Sequence, residues 1–215
     1  MKSTARLAAI TVALVAAISA CSEEAGSTAG SGLKVEAVCD SFASDSTVAA
    51  ALEEVSGTDT FTQDGSEPDK TLASLRAADG ELESGETSGS PFCRLQSSTD
   101  GETILSVNFR EALTVDKPDK EDEKHFTFYN TGESGLASDR TASLYFRCRM
   151  KEPNKSIIIN GSLERENMVD ATKKKLSRDH IILLNAAAHK VASELGCEDS
   201  GLTNGTPVAT SGVYA

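Results

Sequence analysis

The sequence predicts an α+β fold, an antiparallel sheet with helices packed on one face and two disulfides. Three observations carry that expectation. Apolar residues recur at helical spacing near both ends of the chain, with strand-like alternation between them. Such an order packs as helices on an antiparallel sheet rather than as alternating parallel units. Asp100-Gly101 separates two strand-like runs, a strong cue for a tight hairpin. Four cysteines, Cys39, Cys93, Cys148 and Cys197, are spread through the same region.

The elements follow in order. Residues 46–55 read as a helix: Ser44 or Asp45 can cap it, Val48, Ala51, Leu52 and Val55 share one face, and Gly57 stops it. Residues 69–78 read as a second, shorter helix, with Pro68 and Asp69 in its first turn, Leu72 and Leu75 inward and Gly80 at its end. Residues 56–67 and 80–90 are polar and read as loops. Residues 92–98 and 103–111 flank the Asp100-Gly101 turn; in the second run Leu105, Val107 and Phe109 alternate with Ser106, Asn108 and Arg110. A charged loop, 116–124, leads to a short strand at 124–130 with Phe126 and Phe128 on one side. The clearest alternation is at 142–150, where Leu144, Phe146, Cys148 and Met150 oppose Tyr145, Arg147 and Arg149. After Pro153-Asn154, residues 156–164 continue with Ile157, Ile159 and Leu163 inward. The last helix spans 177–195 on a stripe of Ile181, Leu184, Ala188, Val191 and Leu195, with Gly196 at the left-handed cap position. One domain therefore covers 34–199. It runs helix then hairpin in its first half and hairpin then helix in its second. Residues 200–215, rich in Gly, Thr and Ser, read as a disordered tail.

The chain has 215 residues, a formal net charge of −12 and no tryptophan. A surface this acidic argues against nucleic acid and against binding anionic headgroups through the folded domain. The scarcity of large aromatics means a modest core that covalent staples would help.

The first residues form a layout of their own. Lys2 and Arg6 precede an apolar run, and Ser19 and Ala20 are small, the three parts of a secretory signal. The run of about 14 residues reaches about 21 Å as a helix, whereas a bilayer core of about 30 Å needs about 20 residues. Ile18-Ser19-Ala20-Cys21 resembles the lipobox of bacterial lipoproteins, and the polar Gly/Ser stretch after it resembles their tether. The rest of the chain is similar to small lipoproteins of actinobacteria: Cys39 before an Ala-rich helix, Phe92-Cys93 opening a strand, and the 187–197 ending at Cys197. By analogy of layout alone, PsbP-type domains offer the same layering of sheet and helices. The resemblance implies that residues 1–20 are removed and that Cys21 is lipidated, its acyl chains (palmitate among them) holding the protein on the cell membrane at the extracytoplasmic face. Removing Lys2 and Arg6 would take the charge from −12 to −14. Residues 21–33 then form the lipidated cysteine and a tether with a reach of about 20 Å.

With Cys21 used for lipid, four cysteines remain, an even number that argues for two disulfides in an exported protein. Three connectivities are possible. Cys39–Cys93 with Cys148–Cys197 is favoured, because each bond ties a helix end to a strand of its own half. Metal or redox use is disfavoured by the absence of a Cys-x-x-Cys motif.

Chemistry is sparse. His125, His180 and His189 are the only histidines, and the last two lie on opposite sides of one helix and read as surface or partly buried residues. Asp116, Asp119, Glu121, Asp122 and Glu123 crowd one loop among lysines, without the spacing or glycine of a calcium site. Arg147 and Arg149 read as part of a water-exposed sheet face, and Lys173-Lys174-Lys175 as a charge run at a helix start or loop. No Gly-x-Ser-x-Gly elbow, Walker motif or dinucleotide fingerprint occurs. The expectation is a non-enzymatic binding or interaction lipoprotein of the envelope, taking a small hydrophobic ligand or an envelope protein, with no catalytic residue, no cofactor and no metal. The competing class is an envelope hydrolase whose active site is assembled from distant residues. A pocket without clustered titratable groups separates the first from the second, which needs a histidine within hydrogen-bond reach of Ser or Asp.

Overall fold

A computed structural model describes residues 32–79, 91–116, 119 and 121–210. Its centre is one eight-stranded antiparallel sheet: β1 (Leu33–Lys34), β2 (Thr60–Thr62), β3 (Cys93–Ser97), β4 (Thr103–Ala112), β5 (Thr127–Tyr129), β6 (Ser134–Ala137), β7 (Thr141–Met150) and β8 (Lys155–Arg165). The spatial order is β1-β2-β3-β4-β8-β7-β6-β5. Each half of the chain is thus an antiparallel meander, and the two meet where β4 pairs with β8, Val107 opposite Leu163 and Phe109 opposite Gly161. Three helices pack against the sheet, α1 (Ser46–Ser56), α2 (Pro68–Ala77) and α3 (Lys173–Leu195). The expected fold is the observed one.

Alternation decides which face is covered. Leu144, Phe146, Cys148 and Met150 of β7 are buried together with Ile157, Ile159 and Leu163 of β8, beneath Ile181, Leu184, Ala188 and Val191 of α3. Gly161 is the small residue in this layer. A Cβ built there would lie 2.7 Å from Phe109 and 3.2 Å from Leu184, so a side chain would collide with the Phe109 ring of β4 and crowd Leu184 of α3. The other face is polar at its centre. Asn160 Nδ2 donates to Ser143 Oγ at 3.1 Å. Tyr145 is only 6% exposed there, and Asp116 Oδ2 accepts from its hydroxyl at 2.6 Å. Burial first, and then Asp116, pushes the Tyr145 pKa up to about 12.

Both ends of α1 follow the expected chemistry: Asp45 caps the start, and Gly57 ends it with φ 72°. α2 ends at Ala77, short of Gly80, which lies outside the described residues. α3 begins at Lys173, four residues earlier than the apolar stripe implies. Thr172 accepts from Lys175 N–H, and the lysine run fills the first turn; lysine is a good helix former whether or not it faces the core. The 56–67 stretch, expected as loop, contains β2, and β6 was not foreseen at all. β5 is shorter than expected because residues 122–124 form a 3-10 turn. His180, expected at the surface or partly buried, is fully buried.

Both disulfides join the favoured partners, Cys39–Cys93 and Cys148–Cys197. Cys197 follows α3 directly. Cys39, however, lies in a turn ahead of α1 rather than at a helix end, and Cys39, Asp40 and Ser41 all have positive φ (43°, 62° and 60°). Paired structural disulfides suit an oxidising compartment outside the cytoplasm. Among the described residues no helix is long and apolar enough to cross a membrane. Cys21 and the signal lie outside the described residues.

Residues 200–210 depart from the expected disordered tail. The Glu198 N–H donates to the Arg149 carbonyl, Gly132 N–H to Gly201, Asn130 N–H to Val208, and Thr210 N–H to Phe128, at 2.9–3.1 Å. The segment bonds along β5, an edge strand of the sheet. Residues 211–215 lie outside the described residues.

Candidate ligand pocket

The pocket is built from three pieces of chain. The first is the entry to α1. Asp45 has extended backbone, and its Oδ1 accepts from the N–H groups of Thr47 at 2.8 Å and Val48 at 3.3 Å. This satisfies donors that a helix start leaves open and fixes the carboxylate in place. The second piece is α3, where Ile182, Asn185, Ala186 and His189 recur on one helical face. The third is the C-terminal segment. Asn185 Nδ2 donates to the carbonyls of Thr203 at 2.9 Å and Gly205 at 3.4 Å, while its Oδ1 accepts from the Thr131 hydroxyl. Thr203 N–H donates back to Thr131 Oγ1 at 3.1 Å. His189 Nε2 lies 2.9 Å from the Thr203 carbonyl. A carbonyl only accepts, so Nε2 carries the proton, and in the neutral ring Nδ1 is an acceptor.

These pieces enclose a cavity of about 350 Å³, within the size range of small-molecule sites. Its lining mixes apolar side chains, Phe42, Val48, Ile182 and Ala186, with polar ones, among them Asp45, Thr47, Asn185 and His189. The cavity lies between two helices and the C-terminal segment, not between sheet and helix.

A second, more open cleft of about 530 Å³ lies where residues 123–127 meet the 138–140 turn and the first turn of α3. It gathers Lys124, Arg140, Lys173 and Lys174 with Glu123 and Asp139. Most of its charge is already engaged. Lys124 pairs with Glu121 and Lys173 with Asp139, and Arg140 Nη1 donates to the carbonyls of Arg165 and Glu166.

The structure scatters the remaining residues noted from sequence. His125 is exposed, 3.9 Å from Glu121. His180 Nδ1 lies 2.9 Å from the Ser138 carbonyl, and burial pushes its pKa down to about 4. Two of the three histidines thus spend a ring nitrogen on a backbone carbonyl rather than on a serine or carboxylate. In the acidic loop, Asp119 Oδ1 accepts from the N–H groups of Glu121 and Asp122, and Asp122 Oδ2 from that of Asp119. These carboxylates fold the turn itself. Lys117 and Lys120 lie outside the described residues. Arg147 pairs with Glu133, and Arg149 with Glu198 and Asp199. Among the described residues no His, Cys, Asp and Glu side chains gather as a metal site. Sequence reasoning identified Asp45 as a cap but assigned no site role to Asp45, Asn185 or His189. The available signal was Asn185 and His189, four residues apart on the same face as Ile182 and Ala186.

No family model, curated protein or solved structure matches the chain.

Proposed function

We propose that this chain is a non-enzymatic binding lipoprotein, held at the outer face of the cell membrane by acyl chains on Cys21, that takes a small ligand between α1 and α3. The observation that carries this reading is the cavity of mixed apolar and polar lining, with the capping carboxylate of Asp45 and the imidazole of His189 among its side chains. A mixed lining suits an amphiphilic ligand better than a wholly hydrophobic one. Support for the anchor comes from the signal-like start, the cysteine behind Ile18-Ser19-Ala20 and the polar tether that follows it. A tether reaching about 20 Å would hold the folded domain clear of the lipid surface.

Two variants test the reading. Cys21→Ala is expected to move the protein from the membrane to the soluble fraction; unchanged attachment overturns the anchor. Ala186→Leu fills the cavity with a residue that α3 accepts readily. Native mass spectrometry of gently extracted protein should find a small molecule on the wild type and none on this variant. Equal occupancy, or none on either, overturns the ligand site.

A further inference from the structure

We infer that the pocket between α1 and α3 selects a small organic ammonium, an apolar body bearing a protonated amine, over neutral or anionic molecules of the same shape. The inference rests on the ligand-binding reading and names the chemistry of the same site. Among the described residues, Asp45 and His189 are the ionisable side chains lining the cavity. Asp45 is exposed to solvent; its Oδ1 holds the start of α1, and among the described residues no protein group takes Oδ2. The lining therefore offers the carboxylate of Asp45 as an acceptor, which a donating ligand would engage. An ammonium donates three ways and accepts none. Two features work against a cation, and both are smaller than the carboxylate charge. The N-terminus of α1 carries about half a positive charge, less than the full charge on Asp45. The neighbouring cation, Lys190, is already tied to Asp40 at 2.8 Å and Glu194 at 3.0 Å. The chain's net charge of −12 also favours the approach of a cation.

Asp45→Asn isolates the charge, because asparagine caps a helix about as well as aspartate. The probes are cyclohexylamine, cyclohexanol and cyclohexanecarboxylate, titrated by protein-observed NMR against the full chain in phosphatidylcholine nanodiscs, with empty nanodiscs as reference. On the wild type the amine should bind about fivefold more tightly than the alcohol, the upper limit for an ion pair with an exposed carboxylate, with the carboxylate weakest. In Asp45→Asn the amine should fall to the level of the alcohol and the carboxylate should gain, since the helix terminus is then uncompensated. Alcohol or carboxylate binding as well as the amine overturns the charge preference while leaving the pocket intact. An Asp45→Asn variant that keeps the amine preference overturns the role of Asp45. If Ala186→Leu leaves all three titrations unchanged, or no probe binds the wild type, the site itself is wrong.

Discussion

His180 and Asp179 are neighbours on α3 and both buried, yet burial moves them in opposite directions with pH. Desolvation disfavours the charged form of each. It lowers the His180 pKa from 6.5 to about 4 and raises that of Asp179. Below pH 6.5 the unfolded chain protonates His180 while the folded chain does not. The contribution of His180 is therefore full above pH 6.5, declines as pH falls toward 4 and changes little below that. The loss is about 3 kcal/mol, at about 1.4 kcal/mol per pKa unit. Asp179 acts the other way: its buried carboxylate is unfavourable at neutral pH, and protonation on acidification relieves it. His180 faces the Ser138 carbonyl, with Arg165 and Asp139 as the charges nearest in effect. In His180→Gln, which does not titrate, urea denaturation between pH 6.5 and 4 should lose most of this acid sensitivity. An unchanged decline would assign it to other groups.

At the scale of elements, the C-terminal segment is held by side chains from far along the chain. Asn185 is the hub, since it bonds Thr131, Thr203 and Gly205 while almost fully buried. Asn185→Ala removes one partner from each and leaves buried polar groups unsatisfied, at a cost of about 2 kcal/mol. The expected signature is faster hydrogen exchange at the amides of Thr203 and Val208, with α3 itself still protected; equal loss of protection along α3 would mean that the helix, not the segment, depends on Asn185. The same dependence explains why this region was not legible. Its composition is that of a disordered tail, and the bonds that order it come from Asn130, Thr131, Asn185 and His189, which no local pattern reports. β6 was hidden for a related reason: Ser134-Gly135-Leu136-Ala137 has no alternating large residues, and pairing with β7 makes it a strand. By contrast α1, β4, β7 and β8 carried their own evidence in caps, a turn and alternation. The pocket fell between these cases. Asp45 was visible as a cap and His189 as a helix residue, but their meeting depends on how α1 and α3 pack.

At the scale of the whole molecule, the two disulfides close loops of similar length, with sequence separations of 54 and 49. A chain-entropy account would give each about 4 kcal/mol and predict equivalent losses. The surroundings argue otherwise. Near Cys148–Cys197 the chain is tied a second time: Glu198 N–H donates to Arg149, and residues 201–210 bond to Gly132, Asn130 and Phe128. The exposed ion pairs of Arg149 and Lys151 with Glu198 add at most about 1 kcal/mol each, so backbone bonds do most of the holding. Near Cys39–Cys93 the added ties are mostly side-chain ones, Cys39 N–H to Gln63 Oε1 at 2.7 Å and the Lys190–Asp40 ion pair. Cys39, Asp40 and Ser41 all sit at positive φ, at about 1 kcal/mol or more each, and the bond helps hold them there. Phe42, Ser44 and Asp45, which form the α1 side of the pocket, follow directly. Cys39→Ala/Cys93→Ala should therefore speed hydrogen exchange at Thr47 and Val48, the amides bound by Asp45, under conditions where the sheet stays protected. Cys148→Ala/Cys197→Ala should lower the melting temperature yet leave those two amides as slow as in the wild type. If the two double variants loosen Thr47 and Val48 equally, the bonds act only through the unfolded chain, and the first disulfide has no special part in shaping the pocket.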